Sequence, residues 1–144
     1  MAKVAVVYWS GTGNTQKMAE AVVEGAKGAG AEVECFEVDS FSVDQIDGFD
    51  GLALGCPSMG AEELEEGSYE PFFAAAVDSG KLSGKPVVLF GSWGWGAGAW
   101  METWSDRTKQ AGAKLVDTFI VENEPDAEGI EGSKKLGAAL VGAC

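Results

Sequence analysis

The stretch KVAVVYWSGTGNTQKMAEAV, residues 3–22, changes its rule half-way along. Residues 3–8 form a short, continuous β-branched and apolar run, the pattern of a strand buried on both faces. From Asn14 onward Met18, Val22 and Ala26 recur at helical spacing, with Ala19 and Val23 beside them. That spacing predicts an amphipathic helix over 14–27, punctuated at its end by Gly28 and Gly30. Between strand and helix lies Ser10-Gly11-Thr12-Gly13-Asn14-Thr15: three hydroxyls, two glycines and an amide, with no basic residue.

The same alternation continues outward. EVECFEV (32–38) reads as a second strand, blurred by its glutamates, and a short linker leads to a third, FDGLALGC (49–56). An acid-rich loop, PSMGAEELEEGS (57–68), precedes a helix expected over 69–79, which Gly80 and the Gly84-Lys85-Pro86 turn end. PVVLFGS (86–92) has the pattern of a central strand. After SWGWGAG, a helix is expected over 100–111, with Trp100 and Trp104 on one face. KLVDTFIV (114–121) is the fifth strand, and a last helix over 127–142 would turn Ile130, Leu136 and Leu140 inward. Strand-helix alternation with short connections predicts one domain, residues 1–144, built on a parallel sheet with helices on both faces. Ligands of such folds sit at the carboxyl ends of the strands. Three unusual segments fall there: 9–15, 56–62 and 92–98.

Composition narrows the chemistry. Ten basic against 23 acidic residues give a net charge of −13, which repels nucleic acid and anionic membranes and favours positively charged partners. Histidine, the commonest general base and metal ligand, is absent. Cys35, Cys56 and Cys144 are odd in number and lack CxxC spacing, so neither a disulfide framework nor a metal site is indicated. They are expected to be buried small side chains, apart from a frayed C-terminal thiol. No apolar run is long enough to span a membrane, and the N-terminus lacks a signal peptide's pattern, so a cytoplasmic location is the default expectation.

A helix start presents free N–H groups and the positive end of the peptide dipole, which favour an anion. Gly11 and Gly13 permit close approach of the main chain, while Ser10, Thr12, Thr15 and Asn14 add neutral donors. The loop lacks the lysine of GxxxxGK[ST], and its spacing fails GxGxxG. A single terminal phosphate, bound but not transferred, fits it best; a merely capped helix would need only one Ser or Thr. In Ser92-Trp93-Gly94-Trp95-Gly96, glycines leave indole faces free for a planar ligand to stack on. Periodicity does not sort Trp93 and Trp95 between core and ligand platform.

With these residues in view the sequence resembles a flavodoxin of the short-chain, clostridial type. YWSGTGNT (8–15) resembles the family's FMN phosphate loop, GCPSMGAEELEE (55–66) and LFGSWGWGAGAWM (89–101) its two flavin loops, and VENEPD (121–126) its segment after the fifth strand. The resemblance implies a three-layer flavodoxin-like fold with strand order 2-1-3-4-5. It also implies an electron carrier rather than an enzyme, binding FMN non-covalently. Ser10, Gly11, Thr12, Gly13, Asn14 and Thr15 would hold the phosphate. Met59 and Trp95 would cover the two ring faces, Gly60 would offer its carbonyl to flavin N5, and Glu62 would accept from N3–H. Backbone around Gly94 to Gly96 would meet the pyrimidine edge, with Ser92 and Asn123 near the ribityl chain. Pro57 stands where some members carry a serine donor, for which Ser58 is a candidate substitute. Trp93 stands where many carry tyrosine, and Ala61 follows Gly60. A low-potential carrier working through a stabilised neutral semiquinone is implied. Its partners would be redox enzymes with basic docking patches, such as flavodoxin or ferredoxin reductases and ferredoxin-dependent oxidoreductases, and the carrier itself would be a monomer. The acidic run Glu62, Glu63, Glu65, Glu66 and Glu70 is either a solvated face or the docking charge. An FMN-dependent NAD(P)H or quinone reductase of related fold is the alternative reading.

Overall fold

β1 (Lys3–Tyr8) and α1 (Asn14–Gly28) form where the change of periodicity places them. The structure, a computed structural model, describes residues 2–11, 13–58, 64–94 and 98–144. The chain continues through β2 (Glu32–Glu37), β3 (Gly51–Gly55), α2 (Tyr69–Ser79), β4 (Pro86–Trp93), α3 (Ala99–Gln110), β5 (Lys114–Glu122) and α4 (Ala127–Ala143). All neighbouring strands pair in parallel, in the order β2-β1-β3-β4-β5 that the family resemblance implies.

The strands' side chains alternate between two cores. Val4, Val6, Ala53, Val88 and Phe90 pack with Met18, Ala19 and Val22 of α1 and Leu136 and Leu140 of α4. Ala5, Val7, Leu52, Leu54, Val87 and Leu89 face the other way, towards Tyr69 and Phe73 of α2 and Trp100 and Trp104 of α3. Central strands thus bury both faces, which is why β1, β3 and β4 read as nearly continuous apolar runs. The two tryptophans of α3 share the inner face as their spacing predicts, and each is 1% exposed.

Four details differ from expectation. The linker after β2 contains two 3₁₀ segments, Val38–Ser40 and Val43–Gly48, which bury Val38 and Ile46. Phe49, placed in the third strand by sequence, precedes it and joins an aromatic cluster with Phe36 and Phe41. Cys35 is exposed rather than buried, because β2 is a sheet edge paired on one side only. Ile130 is half-buried; the inner face of α4 is Gly129, Ser133, Leu136, Gly137 and Leu140. Cys56 is buried and Cys144 exposed, as expected.

Candidate functional site

The carboxyl ends of β1, β3, β4 and β5 converge on one cavity of about 240 Å³. Trp9, Gly11 and Asn14 line it from the β1–α1 turn, Pro57 and Ser58 from the segment after β3. Ser92, Trp93 and Gly94 line it from the end of β4, and Asn123 from the end of β5. The cavity therefore takes lining residues from all three unusual segments, while Ser10, Gly13 and Thr15 are not among them. Thr12, Met59, Gly60, Ala61, Glu62, Trp95 and Gly96 lie outside the described residues.

The turn after β1 is shaped from within. Trp9 N–H extends the ladder to Gly55 O at 3.0 Å. Gly13 has φ 95°, a left-handed geometry that favours glycine, and its N–H donates to Ser10 Oγ at 3.0 Å. Ser10 oxygen therefore braces the turn as an acceptor, and its own proton remains free to donate. The Trp9 indole folds back over Gly11, where a Cβ would come within 3.0 Å of the ring.

Helix α1 then begins without the feature that ordinarily ends such a turn. Gly13 is its N-cap, no described side chain accepts from its first-turn N–H groups, and no acidic residue occupies that turn. Thr15, in the same turn, is fully buried, and its hydroxyl has no partner among the described residues. A buried hydroxyl without a partner costs roughly 1–3 kcal/mol. The Thr15 hydroxyl sits in the first turn of a helix that no described side chain caps.

Across the cavity the loops are knitted together. Ser92 hydroxyl donates to Asn123 O at 2.6 Å, Asn123 N–H donates to Trp93 O at 2.7 Å, and Ser58 N–H donates to Ser92 O at 3.1 Å. Asn123 holds φ 57°, a left-handed conformation that asparagine tolerates better than most residues. Trp93 is half-buried: it packs against the core and also lines the cavity. Ser58 lines the cavity with its N–H already spent on Ser92.

Two members of the acidic run are half-buried and engaged within the chain. Glu65 accepts N–H bonds from Gly67, Ser68 and Tyr69 at 2.7, 2.7 and 3.0 Å. Burial raises its pKa, but those three bonds together outweigh it and hold the carboxyl below its ordinary value. Glu70 takes Arg107 in a two-pronged ion pair at 2.6 and 2.7 Å, and the guanidinium lies 4.9 Å from the Phe73 ring centroid. Glu66 is exposed. Lys17, the nearest cation in sequence, pairs with Glu124 at 2.8 Å. Among the described residues no group of His, Cys, Asp and Glu is gathered to hold a metal, and no helix is long and apolar enough to cross a membrane.

Trp9 is the lining residue that sequence reasoning missed, although its place between strand and glycine loop marks it. FMN fits what is present: the orphaned Thr15 hydroxyl and the start of α1, which no described side chain caps, suit its phosphate, and Trp9 and Trp93 add aromatic surface to the cavity.

Comparison with known proteins agrees. A family model described as flavodoxin matches residues 6–137. The flavodoxin of Megasphaera elsdenii is 49% identical over 123 residues, which is 85% of this chain and 88% of that one. The flavodoxin of Clostridium beijerinckii is 46% identical over 135 residues, 91% of this chain and 96% of that one. The solution structure of two-electron reduced Megasphaera elsdenii flavodoxin superposes with a TM-score of 0.88 at 46% identity, covering 96% of this chain and 98% of that one. On this fold, site and similarity, the chain belongs to the flavodoxin family: it is an FMN-binding electron carrier, not an enzyme.

Proposed function

We propose that the chain, as a single cytoplasmic domain and a monomer, carries single electrons at low potential between redox enzymes. Bound FMN supplies the one-electron chemistry. The chain's residues grip the cofactor and set its energetics. Ser10 to Thr15 would hold the phosphate through neutral donors, with the Ser10 and Thr15 hydroxyls donating outward. Because the Ser92 proton is already given to Asn123 O, Ser92 would meet the ribityl chain as an acceptor. Pro57 and Ser58 carry the chain towards Met59, which would cover one ring face and Trp95 the other. Gly60 would accept from N5–H, Glu62 from N3–H, and the N–H groups of Gly94 to Gly96 would meet the pyrimidine edge.

The observation that carries this reading is the buried, partnerless Thr15 hydroxyl at a helix start that no side chain caps. An N5–H acceptor favours the half-reduced neutral form. The net charge of −13 opposes adding a negative charge to the ring, so the second electron would enter at a more reducing potential. Partners would be enzymes with basic docking patches, flavodoxin or ferredoxin reductases or ferredoxin-dependent oxidoreductases, in weak complexes that salt dissociates. Stepwise reduction of the purified protein, followed by its visible spectrum, tests the proposal. A yellow protein that turns blue before bleaching is expected. Direct bleaching would contradict one-electron carriage, and steady oxidation of NAD(P)H by the protein alone would favour a reductase.

A further inference from the structure

The turn between β1 and α1 carries two glycines, and they are glycine for different reasons. Gly13 holds φ 95°, and a Cβ there would meet no described atom within 4 Å, so backbone conformation is what disfavours a side chain. Gly11 has no left-handed φ. A Cβ there would instead lie 3.0 Å from Cη2 and 3.3 Å from Cζ3 of the Trp9 indole. At Gly11 the ring has taken the space of a side chain.

That ring is set by the sheet. Trp9 N–H donates to Gly55 O at 3.0 Å, one residue beyond Tyr8 and Gly55, the last register pair of β1 with β3. Its half-buried indole packs against the core that contains Val7, Leu52 and Leu54. Around the turn, by contrast, there is room to move. Gly11 and Asn14 line the large cavity, while Ser10 lines a second hollow of about 160 Å³ with Glu37 and Asp39. Trp9 borders both.

We propose that Trp9 is a positioning residue: the benzo half of its indole, set against Gly11, holds the turn in its binding shape before a ligand arrives, and so raises the preference for a phosphorylated flavin over an unphosphorylated one. The proposal rests on the reading that this turn holds the FMN phosphate. Glycine loses more backbone freedom on ordering than any other residue, so a turn with two of them is costly to fix at the moment of binding. A ring already anchored by the sheet removes part of that cost in advance, which is preorganisation.

The test titrates the full apo chain, Trp9→Leu, Gly11→Ala and the double variant with FMN and with riboflavin. Trp9→Leu is expected to lower the preference for FMN over riboflavin about tenfold, the worth of ordering one backbone residue. Gly11→Ala, whose methyl pushes the ring aside, should lower it by a similar factor. The double variant should be no worse than Trp9→Leu alone, because both substitutions act through one contact. Should the two single effects multiply in the double variant, or should Trp9→Leu weaken FMN and riboflavin equally, Trp9 is only a wall of the cavity and the proposal is overturned. If Trp9→Leu fails to fold, proton NMR of the apo parent decides. Cross-relaxation between the Trp9 ring and Gly11 Hα without ligand supports the brace; its absence, or its appearance only after FMN is added, overturns it. A parent that binds FMN no better than riboflavin would instead defeat the phosphate reading, with the ring contact in the apo chain still testing the brace.

Discussion

Helices α1 and α4 lie side by side on one face of the sheet, so closely that a Cβ at Gly137 would strike the Val22 carbonyl. Each starts at the carboxyl edge, yet the two starts are finished differently. At α4, Asp126 is the N-cap, and its carboxylate accepts Gly129 N–H at 2.9 Å. Ser133, buried one turn on, donates to Gly129 O at 2.8 Å, so its hydroxyl is satisfied. At α1 the N-cap is Gly13, no side chain caps, and the buried Thr15 hydroxyl has no partner among the described residues. The start of α4 is completed by its own chain; the start of α1 has no such cap among the described residues. α2 sides with α4, since Glu65 supplies its carboxylate. α3 opens after the segment that follows β4, with Gly98 as its N-cap.

The contrast breaks most sharply if α1 receives the charge that α4 already has. Asn14→Asp puts a carboxylate in the first turn of α1, facing the phosphate. Like charges at contact cost several kcal/mol, so titration of the apo variant should show FMN affinity reduced on the order of 100-fold. The same charge stabilises a helix start by about 0.3–1 kcal/mol, so the empty chain should melt later, not earlier. Next in size is Thr15→Val. It removes the orphaned hydroxyl, and should weaken FMN about tenfold while stabilising the empty chain by ~1 kcal/mol in denaturant unfolding. The mirror experiment is Asp126→Ala. Loss of that cap should cost about 1 kcal/mol of stability and leave FMN affinity unchanged.

The smallest effect concerns acid. The folded Glu65 carboxyl is held below its unfolded value, so its contribution to stability is fully present above the unfolded value and is lost as pH falls through the folded one. Glu65→Gln should therefore flatten the acid limb of the stability curve. An unchanged acid limb would show that the carboxylate does not hold the α2 start in solution.

How much was legible in the sequence follows from where each residue's partners lie. Element order was legible because β1, β3 and β4 bury both faces, and glycine marks the ends of α1 and α2. β2 was blurred for a physical reason: it is an edge, and Glu32, Glu34 and Cys35 face solvent there. That the β1–α1 turn lines the cavity was legible because its glycines and polar side chains are neighbours in sequence. Glu65 and Glu70 were not, since a charge run looks the same whether solvated or folded inward. Glu70 meets Arg107 only because α2 and α3 cover the same sheet face, 37 positions apart. The contact of Glu65 N–H with Cys56 Sγ was hidden for the same reason, the amide arriving nine positions downstream. Trp9 reads as the end of a strand until its ring is seen folded over Gly11.

The central claim is that the open start of α1 is built for a phosphate, and comparing FMN with riboflavin in the apo protein tests it most directly. Two or three charge-assisted bonds, each worth about 1.5–3 kcal/mol, predict that FMN binds at least ~1,000-fold more tightly than riboflavin. Affinities equal within about threefold would mean that the turn holds no phosphate and would contradict the account.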